Sequence, residues 1–181
     1  MCAPLAAPVS LAPLAIALLL GALPAGPTAA ADAAPPAELA SLQAAFRTCV
    51  GLKEHHLAGP LFDSVRDAEA LGLFAAHHPH SVAKITIERG PAYATVSARL
   101  KPGARVAGVP VQSIYAATCE KDCGLALWGL DFGRPTAAQR ADLARWVQAA
   151  PSTRTEYRGD IKVQLNQTTD QHTVLVCDLS G

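Results

Sequence analysis

The sequence lacks the short motifs by which most enzyme classes are identified. It contains no G-x-S-x-G nucleophile motif, no H-E-x-x-H zinc motif, no P-loop and no G-x-G-x-x-G dinucleotide motif. Its Asp and Glu residues show no spacing that would pair two carboxylates for acid–base catalysis. These absences favour a protein that binds over one that catalyses, and a hydrolase of an unrecognised type is the enzymatic alternative.

The chain also lacks an excess of either charge. Its 15 Lys and Arg residues balance its 15 Asp and Glu residues, so the formal net charge is zero with neutral His. Nucleic acids and anionic membranes attract proteins through an excess of positive charge. The sequence therefore predicts neither of them as a partner.

Charged residues are missing altogether from residues 1–31. This segment holds an apolar run, residues 11–23, followed by Pro and Gly and then by three alanines that end at Ala31. Such a layout is typical of a secretory signal peptide, although no Lys or Arg precedes the run. A retained membrane anchor is the alternative, but the run is short and contains Pro13. We expect cleavage near Ala31, a periplasmic or secreted protein, and no membrane association afterwards.

The remaining residues are enough for one domain with a hydrophobic core. Residues 32–38 are predicted to form a short tether rich in Pro and Ala, and residues 39–181 a single domain.

Four cysteines follow the apolar segment: Cys49, Cys119, Cys123 and Cys177. An even number of cysteines in an exported chain predicts disulfide bonds. We expect Cys119 to pair with Cys123 and Cys49 to pair with Cys177. The second bond would close a loop of about 130 residues, which the chain-entropy model values at about 4 to 5 kcal/mol. Metal binding by the C-x3-C pair is the alternative to the first bond.

Residues 109–133 are the predicted centre of the fold. They form two apolar stretches joined by a charged tip, Glu120, Lys121 and Asp122. Both faces of the two stretches are largely apolar, which is typical of strands that are covered on both sides in the middle of a sheet. We therefore expect a central hairpin.

The remaining elements are predicted from periodicity and capping signals. Helices are expected over residues 36–51, 63–76 and 136–151, the last beginning with a capping box of Thr136 and Gln139. Residues 53–62 are expected to be a loop. Outside the central hairpin, strands are expected over residues 83–88 and 92–100, joined by a turn, and over residues 160–166 and 172–179. The order predicts an α+β fold: an antiparallel sheet of about six strands, two N-terminal helices and one helix before the last hairpin.

Five of the six histidines cluster at two places, His55 with His56 and His77 with His78 and His80. Imidazole nitrogens bind Zn²⁺ and Cu²⁺, so a metal-binding protein is one interpretation. Adjacent histidines on polar loops are more often solvated, and no H-x-H on a strand or H-x3-H on a helix fixes a geometry here.

The leading prediction is an exported, disulfide-bonded, non-enzymatic protein without a cofactor that binds another exported protein. An inhibitor or immunity protein against a cell-wall hydrolase would be of this class. The tip of Glu120, Lys121 and Asp122 would then be the loop most able to enter a partner's cleft, and a solvated turn is the alternative.

Overall fold

A computed structural model describes residues 37–65, 67–119, 124–155 and 159–180. The predicted signal peptide and residues 32–36 of the predicted tether lie outside the described residues, whereas the last two tether residues, Ala37 and Glu38, begin the first helix. The helices are α1 (Ala37–Thr48), α2 (Ala58–Asp63), α3 (Ala68–His77) and α4 (Ala137–Gln148). The strands are β1 (Val82–Arg89), β2 (Ala94–Leu100), β3 (Arg105–Val106), β4 (Val109–Pro110), β5 (Ser113–Thr118), β6 (Ala126–Asp131), β7 (Thr153–Thr155), β8 (Gly159–Ile161), β9 (Gln164–Gln167) and β10 (Thr173–Asp178).

The main sheet has six strands in the order β1-β2-β5-β6-β10-β9, and all its neighbours are antiparallel. Strands β5 and β6 occupy its middle, as predicted for the central hairpin. Two short hairpins, β3 with β4 and β7 with β8, lie outside it. The α+β class with an antiparallel six-stranded sheet is therefore confirmed.

One face of the sheet forms the hydrophobic core with the helices. Strand residues such as Val96, Ile114 and Leu130 belong to the same buried cluster as Leu42 of α1 and Leu143 of α4. The alternating residues of the same strands, including Ser97, Tyr115 and Asp131, lie outside that cluster. Within the described residues, the helices thus cover one face only.

The expectation that the central hairpin is covered on both faces is therefore wrong for part of its length. Ser113, Tyr115 and Asp131 remain partly exposed. A tyrosine ring can cover a neighbouring position on its own face, and Tyr115 does so over Gly129. A Cβ atom on Gly129 would lie 2.0 Å from Cζ of that ring. Apolar residues on both faces of a strand therefore do not require a second layer of helices.

The Cys49–Cys177 disulfide connects the end of α1 to β10, with 5.4 Å between the two Cα atoms. Both cysteines are fully buried. The predicted pairing is confirmed, as is the helical stripe of Leu39, Leu42 and Phe46 that turns Cys49 inward. The bond spans 128 residues. Stable disulfides indicate a non-cytoplasmic compartment.

The second helix begins later than predicted, because the preceding loop contains the short helix α2. Asp63 ends α2 and Ser64 is its C-cap, so neither begins the next helix. Instead the Asp67 side chain accepts a hydrogen bond from the Glu69 N–H at 2.8 Å and caps α3. There are consequently three N-terminal helices where two were predicted.

The strand predicted over residues 160–166 is divided in two. Gly159–Ile161 pairs with Thr153–Thr155, a strand that was not predicted, whereas Gln164–Gln167 pairs with β10. Ile161 and Val163 are both buried at alternate positions, which produced the appearance of one continuous strand. Similarly, Val109 belongs to the short β3–β4 hairpin and β5 begins only at Ser113.

Helix α4 begins as predicted, after the capping box, and ends at Gln148, three residues before the predicted end. The Thr136 hydroxyl accepts from the Gln139 N–H, and the Gln139 side chain accepts from the Thr136 N–H.

No helix among the described residues has the length and hydrophobicity needed to cross a membrane.

Candidate binding site on the polar face of the sheet

The face of the main sheet opposite the core, which we call the polar face, is built by strand register. One row of directly paired residues runs across all six strands: Lys84, Arg99, Ser113, Asp131, Val174 and Asn166. The next row on the same face is Thr86, Ser97, Tyr115, Gly129, Val176 and Gln164. Charged and hydroxyl side chains are concentrated on β1, β2 and β5, whereas Val174 and Val176 of β10 are buried.

A cleft with a volume of about 260 Å³ opens on the polar face at strands β1, β2 and β5. Its lining consists of two cations, three hydroxyls and one amide: Lys84, Arg99, Thr86, Ser97, Ser113 and Gln112. The Gln112 side chain lies against Gly133, where a Cβ atom would come within 2.3 Å of Nε2. The lining donates hydrogen bonds at many points and, among the described residues, contains no carboxylate.

The two cations of the cleft lie opposite each other in the register of β1 and β2. Both side chains are exposed, and neither Lys84 nor Arg99 has an ion-pair partner among the residues that the structure describes. Like charges at directly opposed positions of an antiparallel pair are destabilising. The site is therefore electrostatically suited to a negatively charged group.

Asp131 and His172 are joined by a side-chain hydrogen bond beside the cleft. Nδ1 of His172 lies 3.0 Å from one carboxylate oxygen of Asp131. The other oxygen accepts a hydrogen bond from the Gly133 N–H at 2.6 Å. The contact orients the imidazole, and Nε2 of His172 has no hydrogen-bond partner within the described part of the chain.

Tyr115 adjoins this pair on the polar face. Burial, and secondly the negative charge of Asp131, raises the pKa of Tyr115 to about 12. The phenol therefore keeps its proton at neutral pH and is available as a hydrogen-bond donor.

These groups do not form a nucleophilic catalytic arrangement in the described residues. A nucleophile must lie within hydrogen-bond reach of its base, and no Ser, Thr or Cys side chain there is hydrogen-bonded to Nε2 of His172. Fixed donors, a cation pair and an aromatic side chain on a rigid sheet are suited to binding instead.

His55, one of the five clustered histidines, has a structural role. Its Nδ1 accepts the backbone N–H groups of Leu57 and Ala58 at 3.2 and 3.3 Å, at the start of α2. Its Nε2 lies 2.8 Å from Oγ of Ser41 in α1. The ring is buried and stacks on His56, with 4.6 Å between the ring centroids.

The other three histidines lie at the end of α3. His78 is the C-cap, and its ring lies 4.7 Å from that of Phe74, whereas His77 and His80 are exposed. Among the described residues, no three His, Cys, Asp or Glu side chains come together in a group that could hold a metal ion.

The predicted partner-binding tip, Glu120, Lys121 and Asp122, lies outside the described residues, and so does Cys123. Cys119 is buried and disulfide-bonded. Its pairing with Cys123 stays a prediction.

Sequence reasoning missed the polar face because its residues come from six separate strands. Lys84 and Arg99 are 15 positions apart, and Asp131 and His172 are 41 apart. The only signal was the alternation of polar residues in β1 and β2.

No protein-family model, no curated protein sequence and no solved structure matches this chain.

Proposed function

We propose that this protein is an exported, non-enzymatic binding protein that recognises another exported protein through the polar face of its sheet. The observation that carries the proposal is that the polar face is accessible at strands β1 and β2. The described helices pack on the other side, and Lys84, Thr86 and Arg99 remain exposed.

The compartment supports an exported partner. The Cys49–Cys177 bond indicates an oxidising environment. The signal-like composition of residues 1–31 supports export as the route to that environment.

The rigidity of the face supports recognition of a folded protein. Its side chains are held at fixed spacing by strand pairing, so little conformational entropy is lost when a partner binds. Arg and Tyr are enriched among the residues that dominate binding energy in protein interfaces. Arg99 and Tyr115 supply both types, and they lie on adjacent rows of the face.

The charge of the cleft supports an inhibitor or immunity protein. Enzymes that cleave cell-wall polysaccharides generally act through a pair of Asp or Glu side chains. Lys84 and Arg99, which have no ion-pair partner among the described residues, would be complementary to such a pair. The tip of Glu120, Lys121 and Asp122 remains a second predicted contact.

Site-specific photo-crosslinking in the exporting cell tests this proposal. A photoreactive amino acid is placed at Thr86 on the polar face or, as the matched control, at Ala141 on the exposed side of α4. We expect a discrete crosslinked protein from position 86 and none from position 141. Absence of an adduct at position 86, or equal adducts at both positions, would contradict the proposal.

A further inference from the structure

The cleft bounded by Lys84 and Arg99 carries an inference about ligand chemistry that does not rest on the proposed function. We propose that this cleft is a binding site for an oxyanion, the carboxylate or phosphate group of a ligand. The group would lie between the two cations and accept hydrogen bonds from the hydroxyls around them.

The charge distribution is the first argument. Lys84 and Arg99 are cross-strand partners, and the residues that the structure describes supply no counter-charge to them in the cleft lining. The nearest carboxylates on the polar face do not supply one. Asp131 is two strands from Arg99 and is held by His172, and Glu88 is paired in register with Thr95, two rows away from Lys84. An anion between the cations would remove the repulsion.

The donor set is the second argument. The planar guanidinium of Arg99 presents paired N–H donors that match the two oxygens of a carboxylate or phosphate. Ser97 and Ser113, the register partners of Tyr115 and Arg99, line the same cleft with their hydroxyls. Thr86 and the Gln112 amide add further donors to the lining. The cleft therefore offers donors of three kinds to an anion.

The size of the cleft is the third argument. A water molecule occupies about 30 Å³ in the liquid, whereas the cleft measures about 260 Å³. The space holds an oxyanion together with several atoms of the molecule that bears it.

The test uses the purified, oxidised protein and two probes, inorganic phosphate and acetate. Backbone amide signals of Ser97, Arg99 and Ser113 are followed by NMR during titration at constant ionic strength. Phosphate represents a phosphate-bearing ligand and acetate represents the carboxylate of an acidic side chain. We expect saturable shifts at these amides with at least one probe, and the probe that saturates identifies the source of the oxyanion.

Substitutions make the test specific to the cleft. Lys84→Gln and Arg99→Gln should each weaken binding by about tenfold or more, because each removes a charge-assisted hydrogen bond. Arg99→Lys keeps the charge without the planar fork and should also bind more weakly. Lys53→Gln, at an exposed lysine outside the cleft, is the matched control and should bind like the wild type. Shifts that do not saturate with either probe, or that survive unchanged in both glutamine variants, would overturn the proposal.

Discussion

At the scale of single residues, Tyr115 has the most strongly altered titration on the polar face. Its pKa is raised to about 12 by burial and then by Asp131, whereas an unfolded tyrosine ionises near pH 10. The protonated phenol therefore stabilises the folded protein. This contribution is complete below about pH 10 and is lost as the pH rises through about 12.

We expect the Tyr115→Phe variant to lose less free energy of unfolding than the wild type between about pH 9 and about pH 11. Urea denaturation at both pH values measures the difference. Tyr93→Phe, at a side chain that is 54% exposed, is the control and should follow the wild type. Equal losses in the wild type and the Tyr115→Phe variant would show that the phenol is not held in its protonated form.

At the scale of elements, α2 is held in place by contacts with residues outside the helix. His55 accepts the N–H groups at its start, and the carbonyl of Ala58 accepts a hydrogen bond from Nε1 of Trp128 at 3.1 Å. Phe62 stacks on the same indole, with 4.6 Å between centroids. The helix therefore connects α1, through His55 and Ser41, to the middle of the sheet.

His55→Ala should destabilise the protein by about 1–3 kcal/mol, because it leaves two backbone N–H groups without their acceptor. His55→Asn should recover part of this loss, since its side-chain oxygen can accept from the start of a helix. His80→Ala, at an exposed histidine, is the control and should change stability little. Denaturant unfolding followed by Trp128 fluorescence measures all three. A stability loss in His80→Ala as large as that in His55→Ala would contradict the structural role of His55.

The elements that could be predicted are those with signals contained in their own residues. Helix α4 has a complete capping box, and α1 has a regular apolar stripe that ends at Cys49. Helix α2 could not be predicted, because a six-residue helix has too few positions to show a period and its stabilising partner Trp128 is 70 residues away. The polar face was missed for the same reason, since register between strands far apart in sequence, such as β6 and β10, brings its residues together.

At the scale of the whole molecule, the described residues form a six-stranded sheet with helices packed on one of its faces. The Cys49–Cys177 bond links the end of α1 to β10, the strand beside the edge strand β9. By the chain-entropy model a bond over this length stabilises the fold by about 5 kcal/mol. The bond constrains the unfolded chain, while Lys84, Thr86 and Arg99 on the polar face remain exposed.

Native mass spectrometry of the protein purified from its own exporting cell tests the central claim, an exported and disulfide-bonded binding protein, most directly. We predict a chain that begins near residue 32 and is lighter than its reduced form by the four hydrogens of two disulfide bonds. It should carry a second exported protein in a defined stoichiometry. A chain that retains residues 1–31, or one that carries a metal ion and no protein partner, would contradict this account.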